Sequence, residues 1–90
     1  MENNKGCYTT KEINEAMKKT PEFAIELLTV MLRYWKKDWG DLCEEDKKLN
    51  DLSLKTKDRI LAAYDTSQGR VYVITDAGHE ITTVLFAHEY

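Results

Sequence analysis

The sequence predicts an α+β fold in which two or three N-terminal helices pack on a three-stranded antiparallel β-meander. Apolar residues recur with a helical period over about residues 9–54 and with a period of two from about residue 58 to 87. The connections between the predicted strands are too short for parallel crossovers. A chain of 90 residues is long enough for one domain, and we therefore assign residues 1–90 to a single domain.

The first predicted helix spans about residues 10–19. Thr9 and Glu12 have the spacing of a capping box, in which two side chains bond backbone amides at the helix start. Ile13, Ala16 and Met17 recur at the i, i+3, i+4 spacing of one helix face. We expect this face to be the apolar side of the helix.

The second predicted helix runs from Pro21 to about Lys37. Thr20 supplies a capping hydroxyl, and proline suits the first helical position. Apolar residues lie on nearly all sides of this helix, namely Phe23, Ala24, Ile25, Leu27, Leu28, Val30, Met31, Leu32, Tyr34 and Trp35. Such a helix is either buried centrally or shared with a second subunit.

A third predicted helix follows Gly40, a residue that can end the second helix with a positive φ. Asp41 is expected to cap the third helix, with Glu44 three residues later completing an acidic capping box. Three leucines form a narrow apolar stripe, namely Leu42, Leu49 and Leu52. The opposite face is charged, and we therefore expect a surface helix.

Three strands are predicted at residues 59–65, 70–76 and 80–86, joined by turn sequences at 66–69 and 76–79. Both faces of this sheet carry apolar groups, so one face is left for a further helix or another molecule. The first and third strands are the predicted edges. Pairing of one edge with its symmetry mate could build a larger sheet across a dimer. The apolar groups on both faces of the sheet lead us to expect a homodimer.

Charge and composition exclude several classes of protein. The chain has 13 basic and 16 acidic residues, a net charge of −3 and no basic stripe, which argues against direct nucleic-acid binding. Glu26 and Arg33 interrupt the longest apolar stretch, so no membrane span is predicted. Residues 1–5 contain no signal core, and the spacing of Cys7 and Cys43 fits neither a zinc site nor a redox pair. We expect a cytoplasmic protein with free thiols.

The sequence contains no motif that predicts catalysis. Asp76 and His79 would form a minimal general-base pair, but a glycine-containing turn explains both residues. The spacing of His79 and His88 fits no known metal site. We therefore predict no enzymatic activity, no cofactor and no metal.

Several segments carry a resemblance to a known family. They are KDWGDLCEED at residues 37–46, RILAAY at 59–64, VITDA at 73–77 and TTVLFAHEY at 82–90. In order and spacing they resemble short, poorly characterised proteins of plasmids, phages and integrative elements. Members of that family typically contain GDWG before an acidic helix, followed by WVITEADR and TTILLPEEY. The resemblance covers about residues 34–90, departs at Lys37, 78–80 and 87–88, and implies a mobile genetic element rather than a mechanism.

Small size, acidic charge and this resemblance predict a non-enzymatic accessory protein of a mobile element. It would bind a host or element-encoded protein, and a counter-defence inhibitor (anti-CRISPR or anti-restriction) is the version we favour. Residues 38–41 form either a binding loop with an exposed indole or an interhelix corner with Trp39 in the core. The candidate partner-binding residues are Trp35, Asp38, Trp39, Asp41, Glu44, Glu45 and Tyr72.

Two further interpretations concern ligands. The residues Glu44, Glu45, Asp46 and Asn50 are interpreted as a solvated face at the helix start rather than as a cation site. The alternative function is a small-ligand or nucleotide-binding module at a homodimer interface, with Arg59 as the anion clamp and Tyr64 as a second ligand contact. Aromatic residues would complete its lining, namely Trp35, Trp39 and Tyr72.

Overall fold

The computed structural model describes residues 6–90, so the expected absence of a signal core in residues 1–5 lies outside the described residues. The elements follow in the order β1 (Gly6–Thr9), α1 (Lys11–Lys19), α2 (Pro21–Trp35), α3 (Glu44–Thr56), β2 (Ile60–Thr66), β3 (Gly69–Thr75) and β4 (Ile81–Phe86). A 3-10 helix at Ala87–Glu89 ends the chain's regular structure. The predicted α+β class is confirmed.

The sheet has four strands in the order β1-β4-β3-β2, not three. Strands β2, β3 and β4 form the predicted antiparallel meander, in which Val73 pairs with Ala62 on one side and with Val84 on the other. Strand β1 is parallel to β4 and pairs Cys7 with Thr82. Strand β1 is not predicted from the sequence, because its four residues show no apolar alternation and its partner strand β4 lies near the other end of the chain. The third predicted strand, β4, is consequently interior and is not an edge.

One face of the sheet packs against α1 and α2 to form the core. Ile13 of α1 is fully buried, and Ala16 and Met17 pack beside it, as predicted. The inner side of α2 contributes residues at helical spacing, namely Phe23, Leu27, Val30 and Tyr34. The sheet contributes alternate residues of its strands, namely Ile60, Ala62, Tyr64, Val71, Val73, Val84 and Phe86.

The outer side of α2 is exposed. Four large apolar residues on this side are at least half accessible, namely Ile25 at 67%, Leu28 at 60%, Leu32 at 50% and Trp35 at 57%. We call these four residues the α2 outer stripe. The helix is therefore not buried centrally within the described part of the chain.

The ends of α1 and α2 differ from the predictions in three places. Thr10 caps α1 through its hydroxyl, whereas Thr9 ends β1. Thr20 precedes α2 but makes no capping bond with its side chain. Helix α2 ends two residues before Lys37, whose φ of 66° turns the chain before Gly40 is reached.

Candidate functional site

Residues 38–41 run along the outer edge of β2. The Ala63 amide donates to the Trp39 carbonyl at 3.3 Å, and the Asp41 amide donates to the Ala63 carbonyl at 2.7 Å. Gly40 and Ala63 thereby form a parallel bridge. The Asp41 carboxylate accepts the Asp65 amide at 3.0 Å. These bonds occupy backbone groups that an edge strand would otherwise leave unpaired.

Gly40 is required by this close approach. Its φ is +80°, and an added Cβ would lie 2.0 Å from the Ala63 carbonyl oxygen and 2.7 Å from the Tyr64 ring. No other residue type fits without moving the backbone. The function of Gly40 is therefore contact with β2, and the expectation that it ends α2 is wrong.

Trp39 lies in the core. Its side chain is only 4% exposed, and its ring meets Tyr34 edge-on at a centroid distance of 5.5 Å. Its Nε1–H donates to the Asp51 carboxylate at 2.9 Å. The interpretation as an exposed indole is wrong, and the core placement of Trp39 that the interhelix-corner interpretation predicts is confirmed. The indole is fixed by its ring contact with Tyr34 and by its hydrogen bond to Asp51, so it is not accessible to a partner in this conformation.

Asp38 is exposed, but its carboxylate is bound within the same corner. It accepts the Arg33 guanidinium at 2.8 Å and the Gly40 amide at 3.0 Å, and these two contacts lower the pKa of Asp38. The Tyr64 hydroxyl donates to the Asp38 carbonyl at 2.7 Å, and Arg33 lies over the Tyr64 ring. Burial is the main reason that the pKa of Tyr64 is raised.

Asn50 corrects the expectation of a uniformly solvated face on α3. It is 6% exposed, its Nδ2 donates to the Leu61 carbonyl at 2.9 Å, and its Oδ1 accepts the Leu61 amide at 3.4 Å. The Asn50 side chain thus makes the two hydrogen bonds to the Leu61 backbone that a neighbouring strand would otherwise make. Its only sequence signal is that it is an uncharged polar residue within a charged run.

The first turn of α3 is acidic and accessible. Cys43 occupies the N-cap position without a side-chain bond, so the prediction of Asp41 as the cap is wrong. Asp41 is too far back along the chain and is bound to β2 instead. Glu44 and Glu45 are exposed, as the solvated-face interpretation expects.

Tyr72 lies on the second face of the sheet, opposite α1 and α2. Its ring meets Tyr90 edge-on at a centroid distance of 5.6 Å. The Arg59 guanidinium lies over the Tyr90 ring and donates to its hydroxyl at 2.5 Å. The C-terminal residue therefore connects the sheet face to the start of β2.

Further apolar residues share this face with Tyr72 because strand pairing fixes their orientation. Leu85 pairs directly with Tyr72, and Ile81 lies four residues before it on β4. Tyr8 pairs with a β4 residue between these two. Tyr8 is 57%, Ile81 45% and Tyr90 65% exposed. We call this set the open-face patch, namely Tyr8, Tyr72, Ile81, Leu85 and Tyr90.

The residues of the alternative ligand site are not brought together. Tyr64 and Trp39 are buried on the helix-covered face, whereas Tyr72 is on the second face. Arg59 lines a shallow groove of about 310 Å³ between α3 and β2, but Asp46 lines the same groove. A carboxylate in the same groove as the guanidinium opposes anion binding there.

His79 belongs to a turn, and both cysteines are free thiols. The His79 ring is 2.7 Å from the Asp58 carbonyl, and its φ of 60° belongs to the turn before β4. Cys7 and Cys43 are exposed free thiols, and partial burial raises the pKa of Cys7.

Within residues 6–90, no group of three or more histidine, cysteine or acidic side chains could hold a metal ion. None of the helices in that range is long and apolar enough to cross a membrane.

The chain matches no family model, and no curated protein or solved structure shows significant similarity to it. The resemblance to proteins of mobile elements therefore stays a prediction.

Proposed function

We propose that this chain is a non-enzymatic accessory protein of a mobile genetic element that binds a host or element-encoded protein in the cytoplasm. The open-face patch is the observation that carries this proposal. It presents three tyrosines and two aliphatic side chains on one sheet face. Tyrosine is enriched at protein interfaces because it combines a large rigid apolar ring with a polar end.

The charge of the chain favours a partner with a basic surface. The net charge is −3, and Glu44, Glu45 and Asp46 are exposed together at the start of α3. Enzymes that act on nucleic acids are basic where they bind phosphates, and acidic proteins are attracted to such surfaces. Inhibition of a CRISPR effector or a restriction enzyme is therefore the version we propose.

We propose fewer partner contacts than the sequence alone predicts. Tyr72, Glu44 and Glu45 remain proposed partner contacts because each is at least partly accessible, whereas Trp35 belongs to the α2 outer stripe. Residues 38–41 cover the outer edge of β2 and are not proposed as partner contacts. The small-ligand alternative is not proposed, because its residues lie on different faces of the sheet.

Phage plating under interference tests the proposed function. Cells carrying a CRISPR effector or a restriction enzyme should plate a targeted phage more efficiently when they express the wild-type protein. Ile81→Lys should remove this effect, because it places a charge within the open-face patch. Leu52→Lys is the matched control, since Leu52 is a similarly exposed residue on α3. Equal plating with wild-type protein, Ile81→Lys and no protein would contradict the proposal.

Self-association is the second part of the proposed function. The α2 outer stripe is separate from the open-face patch, because α2 packs on the opposite face of the sheet. Contiguous exposed apolar side chains on a small protein commonly mark an interface. We therefore propose that the chain forms a homodimer, for which pairing of the sheet edges is not needed.

A further inference from the structure

We infer that the α2 outer stripe is the contact surface for a second copy of this chain, with the two α2 helices antiparallel about a two-fold axis. This inference rests on the self-association part of the proposed function, to which it adds the surface and the orientation. Ile25, Leu28, Leu32 and Trp35 are separated by three, four and three residues. This is the spacing of the a and d positions in a coiled-coil seam.

Helix α2 has a second apolar side that its own subunit does not use. The inner residues pack on the sheet, whereas every residue of the α2 outer stripe is at least half exposed. From Ile25 to Trp35 the stripe is about 15 Å long at 1.5 Å per residue. A single flat helix side of this kind is covered most simply by an identical side on another molecule, because a two-fold interface uses the same surface twice.

An antiparallel arrangement gives each residue of the stripe an apolar neighbour. It places Ile25 opposite Trp35 of the second copy, and Leu28 opposite Leu32 of the second copy. The two leucine contacts meet at the centre, and a tryptophan covers each end. The largest side chain, Trp35, therefore lies opposite the smaller Ile25 rather than opposite another tryptophan.

Charges beside the stripe favour the antiparallel orientation. Glu22 and Thr29 lie on one border of the stripe, and Lys36, the C-cap residue directly after α2, continues their seven-residue spacing. When Ile25 faces Trp35 of the second copy, Glu22 faces Lys36 of the second copy, and the symmetry repeats this pair. A parallel arrangement instead brings the acidic ends together and the basic ends together. Antiparallel helices also place their opposite dipole ends side by side.

Analytical ultracentrifugation of the full chain tests the surface. Wild-type protein is expected to sediment as a dimer at tens of micromolar concentration. Leu28→Lys should raise the dimer dissociation constant at least about tenfold, because the symmetric interface contains the substitution twice. Leu52→Lys on α3 is the control and should remain dimeric. Leu28 is 60% exposed, so both variants should keep the wild-type circular dichroism spectrum.

A charge exchange tests the orientation. Glu22→Lys and Lys36→Glu should each weaken the dimer, because each creates two like-charge pairs across the seam. Mixing the two variants in equal amounts should restore dimers, since every lysine then faces a glutamate. The double variant Glu22→Lys and Lys36→Glu should dimerise like the wild type for the same reason.

Each outcome separates this inference from the proposed function. A monomeric wild-type protein would overturn both the inference and the self-association. A dimer that Leu28→Lys leaves intact would overturn the α2 surface while self-association stands. Single charge variants that dimerise as tightly as the wild type would overturn the antiparallel orientation, because in a parallel seam position 22 faces position 22 and neither substitution adds a like-charge pair. Phage plating with Ile81→Lys reports on the host-protein partner independently of all three.

Discussion

The two edges of the sheet differ in how their backbone groups are covered. The outer side of β2 is bonded at Leu61 by Asn50, at Ala63 by residues 39–41 and at Asp65 by Asp41. At the other edge, no described strand or bridge lies outside β1, which is four residues long. A seven-residue edge needs cover against unwanted pairing, whereas a short edge needs little. The most distinctive segment of the sequence thus covers an edge rather than presenting a binding loop.

Alanine at Gly40 is expected to have the largest effect on the covered edge. The new Cβ would lie 2.0 Å from the Ala63 carbonyl oxygen, and the positive φ would strain any other residue. Either the bridge to β2 breaks or the backbone shifts, and we expect a loss of about 3 kcal/mol or more in the free energy of unfolding. Urea unfolding followed by circular dichroism measures it.

Alanine at Gly6 is the matched substitution on the open edge. Its Cβ would meet the Tyr8 ring at 2.5 Å, but this ring is 57% exposed and can rotate towards solvent. We expect a loss below about 1 kcal/mol. If Gly6→Ala and Gly40→Ala destabilise the protein equally, the proposed difference between the two edges is wrong.

Removal of the Asn50 amide should have an intermediate effect. Asn50→Ala leaves both the amide and the carbonyl of Leu61 without their partner, at a cost of about 2 kcal/mol. The Leu61 amide should also exchange its hydrogen faster with solvent. Lys48→Ala, at an exposed position of the same helix, is the control and should change stability by less than about 0.5 kcal/mol. Equal losses from the two variants would show that Asn50 does not cover the edge.

Local patterns predicted those parts of the fold that depend on neighbouring residues. The apolar face of α1 and the β2–β4 meander follow from apolar spacing and from short turns. Strand β1 could not be predicted, because its pairing joins residue 6 to residue 81 and leaves no local signal. Periodicity predicts an element's type but not which distant element it meets.

The two tryptophans show the same limit for the candidate site. Trp35 and Trp39 are four residues apart, yet the first is 57% and the second 4% exposed. The chain leaves the helix between them at Lys37, where φ is 66°. A lysine with positive φ is not predictable from composition, so the sequence alone left both placements of Trp39 open. Asn50 was misplaced because its partners are backbone groups of a strand eleven residues later.

The smallest effect is expected from the charge in the corner that covers β2. Asp38→Asn keeps an oxygen for the Gly40 amide but removes the ion pair with Arg33. The pKa of Asp38 is lowered in the folded state, so its contribution is complete above the unfolded pKa of about 3.9 and is lost as pH falls through the folded pKa. The carboxylate is 48% exposed, and screening limits this contribution to about 0.5 kcal/mol. Urea unfolding from pH 7 down to about pH 2 should show the variant less stable at neutral pH and equal to the wild type at the acidic end. A stability difference between Asp38→Asn and the wild type that persists at the acidic end, or that stays unchanged in about 1 M salt, would contradict this expectation. Either result would mean that the side-chain amide disturbs the corner and that the charge of Asp38 does not stabilise it.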